Sequence, residues 1–375
     1  MPIHLFLTGN AGTGKTFTAK SIFHGLLRLY NKDIHSDPLK KKGLIVAFTG
    51  KDAYNANGIT VHSALRLPLS QSNILPLGSN TLDQMSKEYE QLRLLLVDES
   101  SLIGSRMLYN MDIRLRQIMH TPTAPFGNVD ILFCSDLFQA QPVHGSWIFE
   151  QPRFWTDKIP YGFWKDNVKC FELKQVMRQD DKIFIAILNR IRTCSQTNSD
   201  ISYLNKHCYR SAPDDPTFPY LFHQNMHVQQ HNQKMLLLVK SDPFTINSFD
   251  RTTHSLETNN YNIKKMCLPT RIVLKQNMLV ELIGASYAIN DGLVNGADGI
   301  FRLYTSGTPD IIWIEFTDTT IGSNQRRTMH HLYRTGIESK WTPITRICAH
   351  VDTKKRFPFD PGTIPSPASV CTHHT

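Results

Sequence analysis

Residues 3–30 read "IHLFLTGNAGTGKTFTAKSIFHGLLRLY". An alternating apolar run leads into a glycine-rich turn, and the turn into apolar residues at helical spacing, so the segment predicts strand, loop and helix. Gly9, Gly12 and Gly14 allow backbone N–H groups to point inwards around phosphate, where side chains would clash. The helix that follows adds its positive N-terminal end. In this G-x-x-x-x-G-K-T pattern, residues Gly9, Asn10, Ala11, Gly12, Thr13, Gly14, Lys15 and Thr16 form the expected nucleotide cradle. Lys15 reaches the outer phosphates of ATP, and the Thr16 hydroxyl ligates Mg²⁺.

Working outward, such a loop needs a carboxylate partner, and "QLRLLLVDESSLIG" (residues 91–104) supplies one. Leu94–Val97 form an unbroken apolar run, as in a strand buried on both faces of a parallel sheet. Asp98 and Glu99 then fall at its C-terminal end, where open α/β sheets bind ligands. Asp98 is the expected Mg²⁺ partner through water, and Glu99 the residue that polarises the attacking water. "GLIVAFTG" (43–50) and "VDILFCSD" (129–136) read as further strands, and "IGSRMLYNMDIRLRQIM" (103–119) as a helix between strands. The alternation implies an α/β fold with a doubly wound parallel sheet of RecA-like type. After the strand that ends at Asp136, Gln139 falls at the phosphate edge, where it could sense the γ-phosphate, although a lone glutamine after a strand is usually just loop.

Composition narrows the class. The 375 residues suffice for two or three domains. A net charge of +9 favours a polyanionic partner. No apolar run approaches the ~18–20 residues that span a bilayer, and the chain opens on a strand-like segment, so the reading is a soluble, intracellular protein without a membrane role. The seven cysteines include no C-x-x-C pair, which argues for reduced thiols and against a structural metal site.

The motifs, in order, are "GNAGTGKT", "TGKDAYNANGITVHSAL", "LLLVDESSLIG", "PFGNVDILFCSDLFQAQPV", "FELKQVMRQDDKIFIAILNRIR", "LFHQNMHVQQHNQKML" and "NMLVELIGASYAINDGLVNGADGIF". Together they resemble the petite-integration-frequency (PIF-one-like) DNA helicases of superfamily one, close to the RecD group. "IIWIEFTD" and "SKWTPI" look like the branch carried by Helitron-like mobile elements. The resemblance implies an ATP- and Mg²⁺-dependent motor moving 5′ to 3′ on single-stranded DNA. It acts as a monomer, in the nucleus or mitochondrion if the source is eukaryotic. It also implies catalytic roles for Glu99, Gln139 and Arg178, the last as an arginine finger, and DNA contacts by Thr49, Gly50 and His62. On the residues alone, Arg178 could instead pair with Asp180 or Asp181, and His62 could be a structural histidine.

The expected organisation is a RecA-like ATPase domain over 1–178, a partial second RecA-like lobe over 179–270 and an SH3-like β-barrel insert over 271–356. A disordered tail over 357–375 completes it. "TCSQTNSDISYLNKHCYRSAPDDPTFP" (193–219) reads as a polar linker, "YLFHQ" (220–224) as a strand and the residues after it as a helix. Between Ile321 and Phe357 eight Lys/Arg stand against two acids, with Tyr333 and Trp341 interleaved. That pattern suits a single-strand surface or, equally, a solvated basic face over two core aromatics. "DPGTIPSPASVCTHHT" (360–375) replaces the second-lobe motifs that the resemblance leads one to expect, and few residues precede the phosphate loop. The expectation is therefore a chain lacking parts of its adenine pocket and second lobe, with impaired turnover. The rival readings are a catalytically inactive nucleic-acid-binding remnant and a P-loop enzyme acting on a small molecule.

Overall fold

The computed structural model describes residues 2–32, 37, 40–68, 74–143, 145–151, 163–208, 220–247, 271–283, 287–348, 365–366 and 370–371. The chain divides into two compact units, residues 1–210 and 211–375.

In the first unit six strands form one sheet in the order β3-β2-β4-β5-β1-β6. They are β1 (His4–Gly9), β2 (Gly43–Ala47), β3 (Ile59–Thr60), β4 (Leu94–Asp98), β5 (Asp130–Cys134) and β6 (Lys169–Leu173). Every pairing is parallel. The unbroken apolar run of β4 is explained by burial on both faces, since all five of its residues are buried. Leu95 and Val97 point into a core shared with α3 (Val61–Leu65), α4 (Ser79–Glu88) and α5 (Ser105–Ile118). Leu94 and Leu96 point the other way, towards Ala19 and Phe23 of α1 (Lys15–Tyr30). Side chains alternate across a strand, so a strand covered on both faces must be apolar throughout. The unit is completed by α2 (Gly50–Asn55), α6 (Phe163–Asn167), α7 (Lys182–Arg192) and α8 (Asn198–Cys208). The doubly wound parallel sheet is thus the one expected.

Helix α8 lies where the sequence reads as linker. Its polar face conceals a clamp: Asp200 accepts two hydrogen bonds from Arg190 of α7, at 2.7 and 2.6 Å, and one from the Thr197 N–H at 2.9 Å. The ion pair ties α7 to α8, so polarity here reflects pairing and not an extended connection.

In the second unit, residues 220–224 carry no strand; Tyr220 and Phe222 lie against His231 of α9 (Asn225–Leu238), with ring centroids 4.2 and 5.1 Å away. Strands β7 (Pro243–Asn247) and β8 (Arg271–Lys275) form an antiparallel pair. An antiparallel sheet contains β9 (Leu279–Leu282), β10 (Asp298–Thr305), β11 (Ile311–Phe316) and β12 (Thr342–Thr345). Residues Val370–Cys371 pair with the free side of β9. Between β11 and β12 runs α10 (Ser323–Thr328). Its first turn is held by Asp291, whose carboxylate accepts from the N–H groups of Asn324 and Gln325, both at 2.8 Å.

The aromatics of the basic stretch belong to this core. Trp341 is buried, Tyr333 packs edge-on against fully buried Trp313 at 5.0 Å, and the Tyr333 hydroxyl donates to the Trp341 carbonyl. The core-aromatic reading holds for both residues. Arg327, His330, His331 and Arg334 stay exposed around them.

Candidate active site

The C-terminal ends of β1, β4 and β5 converge, and β5 lies between the other two. After β1 the chain turns through Gly9–Gly14 into α1. Gly12 has φ +80°, and a Cβ there would lie 2.6 Å from the Arg178 Cβ. A Cβ on Gly9 would run into the Leu173 carbonyl. Two glycines are therefore needed for different reasons: the chain after β6 passes directly over the loop, and the Met177 N–H donates to the Gly12 carbonyl at 2.7 Å. Arg178 is thereby laid against the phosphate loop. Asp181, one of the two acids that could pair with Arg178, caps α7, its Oδ1 accepting from the N–H groups of Ile183 and Phe184, both at 3.0 Å.

Lys15 donates to the carbonyls of Gly9 and Asn10 at 3.0 and 3.1 Å, which folds its ammonium back over the loop. The Thr16 hydroxyl donates to Asp98 Oδ1 at 3.2 Å. A hydroxyl and a carboxylate in contact offer the hard oxygen donors that Mg²⁺ prefers, so these two residues fit the ion. Burial raises the Asp98 carboxyl pKa against the opposing effect of the Glu99 N–H and the Cys134 and Thr16 side chains.

Glu99 stands just past the strand with φ and ψ both +47°, a left-handed conformation uncommon for a side chain of this kind. Its carboxyl pKa is raised by burial first, and then by the neighbouring charges of Asp98, Asp52 and Asp136. A carboxylate held above its ordinary range is suited to accept a proton from water. The turn after it is fixed from β5, since the Ser101 N–H donates to the Ser135 hydroxyl at 2.9 Å.

Beyond Ser135 come two residues of unequal exposure. Asp136 is fully buried, whereas Gln139 is exposed on a turn whose N–H donates to the Asp136 carbonyl at 3.0 Å. Asp136 accepts two parallel hydrogen bonds from one edge of the Arg192 guanidinium, Nε at 2.8 Å and Nη2 at 2.7 Å. Asn10 of the phosphate loop donates to Asn189 at 2.8 Å. Asn189 and Arg192 were not singled out from the sequence. Their spacing of three on one helix was the available signal, since such residues share a face.

The three residues expected to touch DNA lie beside β2. Thr49 caps α2, its hydroxyl accepting from the Asp52 N–H at 3.1 Å, and Gly50 is buried in the first turn. His62, on α3, meets the ring of Phe48 edge-on at 5.4 Å, so Phe48 joins the two segments. Burial lowers the His62 pKa and favours the neutral imidazole.

A family model described as PIF1-like helicase matches residues 2–198. The chain is 28% identical over 306 residues to the ATP-dependent DNA helicase PIF1 of Saccharomyces cerevisiae, covering 79% of this chain and 33% of that protein. It is 25% identical over 334 residues to the Danio rerio PIF1 helicase, covering 84% of this chain and 46% of that one. It thus spans between a third and a half of these relatives' length. Among solved structures, the Candida albicans Pif1 helicase superimposes with a TM-score of 0.68 at 20% identity, over 99% of this chain and 81% of that one. A Bacteroides Pif1 bound to single-stranded DNA gives a TM-score of 0.65 at 19% identity, over 98% and 76%. At these identities the structural likeness establishes the fold.

Proposed function

Because the chain belongs to the PIF1-like helicase family, we propose that it carries the ATP-hydrolysing machinery of a DNA helicase that moves 5′ to 3′ along a single strand. One observation carries the reading: Thr16 and Asp98 meet beneath a phosphate loop over which Arg178 is laid, with Glu99 next in the chain. In this reading Lys15 turns from the loop carbonyls to the outer phosphates, and Glu99 orients water and takes its proton. Arg178 neutralises charge that builds on the transferred phosphoryl group, and Gln139 orients it. Thr16 and Asp98 would hold Mg²⁺, which supplies charge neutralisation on the phosphate oxygens when bound.

Thr49, Gly50 and neutral His62 contact the strand, by hydrogen bonding and packing more than by charge. Residues 271–356 form the family's SH3-like insert, a reading that the antiparallel strands of the second unit support. The RecA-like domain, expected from the sequence to end at 178, is taken to extend through α7 and α8 within the unit of residues 1–210, and the second lobe to begin after it. The protein works as a monomer on DNA inside the cell, in the nucleus or mitochondrion of a eukaryote.

The test is ATP turnover by the purified chain with and without single-stranded DNA, followed by displacement of a strand from a 5′-tailed duplex. DNA-stimulated turnover supports the reading. Binding of Mg-ATP and DNA with no hydrolysis would transfer the chain to the class of inactive nucleic-acid-binding remnants.

A further inference from the structure

The buried pair of Asp136 and Arg192 has no part in the roles just given. Asp136 is fully buried at the phosphate edge of the sheet, and the Arg192 side chain that meets it is 18% exposed. The Nε and Nη2 edge of the guanidinium is used in full, at 2.8 and 2.7 Å, and the guanidinium carbon also lies 4.3 Å above the Phe138 ring. Asp136 further accepts the Phe138 N–H at 3.1 Å, and its carbonyl accepts the Gln139 N–H. The same helix face reaches the phosphate loop through Asn189 and Asn10. Arg192 is therefore bolted to the turn bearing Gln139, on a helix that is itself bolted to the nucleotide cradle.

We infer that Arg192 is a positioning residue of the ATP site: its paired bonds to Asp136 fix the turn that carries Gln139 and neutralise a third carboxylate beside Asp98 and Glu99. The inference rests on the ATP-hydrolysing reading. A bidentate guanidinium fixes an orientation that a single point charge does not. Without it, Asp136 stands as unbalanced negative charge where the polyphosphate must lie, and the Gln139 turn loses one of its anchors. Because Arg192 acts through the geometry of the reacting end, its loss should be felt most when the γ-phosphate site holds transition-state charge.

The experiment compares the affinity of the full chain for Mg-ADP and for Mg-ADP with fluoroaluminate, a mimic of the transferred phosphoryl group. In Arg192→Ala, ADP affinity should stay within about twofold, while the fluoroaluminate complex should weaken about a hundredfold, the scale of loss that misplacement of reacting groups produces. Arg192→Lys should recover little, because charge returns without the paired geometry. Should Arg192→Ala fail to fold, Asp136→Asn/Arg192→Gln removes both charges together, so that no unpaired charge is buried, but loses the bidentate geometry that holds the turn, and the same selective loss is expected. Equal weakening of both complexes, no weakening of either, or a parent that holds the fluoroaluminate complex no tighter than ADP overturns the inference. The broader reading fails separately, if Lys15→Ala binds Mg-ADP as tightly as the parent.

Discussion

At Gly12 the backbone and a distant side chain make the same demand. Its φ of +80° suits glycine, and the Arg178 Cβ occupies the place of any Cβ it might carry. Gly12→Ala is therefore expected to push Arg178 off the loop and to lower ATP turnover more than it lowers nucleotide affinity. Steady-state kinetics beside a binding titration separates the two effects; a loss confined to affinity would place the arginine elsewhere. Lys15 holds two loop carbonyls in place of phosphate. Lys15→Ala should raise the Mg-ATP Kd about a hundredfold, the worth of one strong charge-assisted hydrogen bond. An unchanged Kd in a direct titration would remove the lysine from the site. Glu99→Gln retains the shape of the side chain but cannot accept a proton, so it should bind Mg-ATP like the parent and not turn it over. Hydrolysis at the parent rate would assign the water-activating role to another residue.

Between α7 and α8 the clamp of Arg190 and Asp200 makes an element of a polar stretch. The Arg190 hydrogen bonds, helped by the Thr197 N–H, hold the Asp200 carboxyl well below the ordinary carboxylate range. A carboxyl lowered on folding contributes stability that is complete above its unfolded value of about 3.9 and is lost as pH falls through the folded one. Asp200→Asn should accordingly lower Tm at neutral pH, and the gap to the parent should close as the pH falls below about 4. Melting curves across that range test it, and a gap that stays constant with pH would mean the carboxylate charge contributes nothing to the clamp.

For the molecule as a whole, a charge of +9 sets the terms of any nucleic-acid contact. Phosphate contacts release counterions, and for single strands the log–log slope of affinity against salt is about −0.7 per phosphate neutralised. The exposed Arg327, His330, His331 and Arg334 are placed for such contacts on the second unit, whereas Lys354, Lys355 and Arg356 lie outside the described residues. We expect steep salt dependence in a fluorescence-anisotropy titration with single-stranded DNA. Reversing Arg327 and Arg334 together should make the slope shallower; an unchanged slope would move the DNA surface away from this face. Among the described residues no helix is long and apolar enough to cross a membrane.

The sequence by itself determined the parallel sheet and the phosphate-loop segment at its edge. An apolar run such as Leu94–Val97 can be satisfied only between two covered faces, and a glycine-rich loop between strand and helix has few uses besides phosphate. These are local constraints, and they named Lys15, Thr16, Asp98 and Glu99 before any coordinates. The tertiary structure decided what depends on partners distant in the chain. Arg178 lies on Gly12, 166 positions away by subtraction of their numbers, and Arg192 on Asp136, 56 positions away. It decided that Trp341 is a core residue. It also decided that residues 198–208 are a helix, because the meaning of a polar side chain is set by which charge or backbone group the fold brings to it.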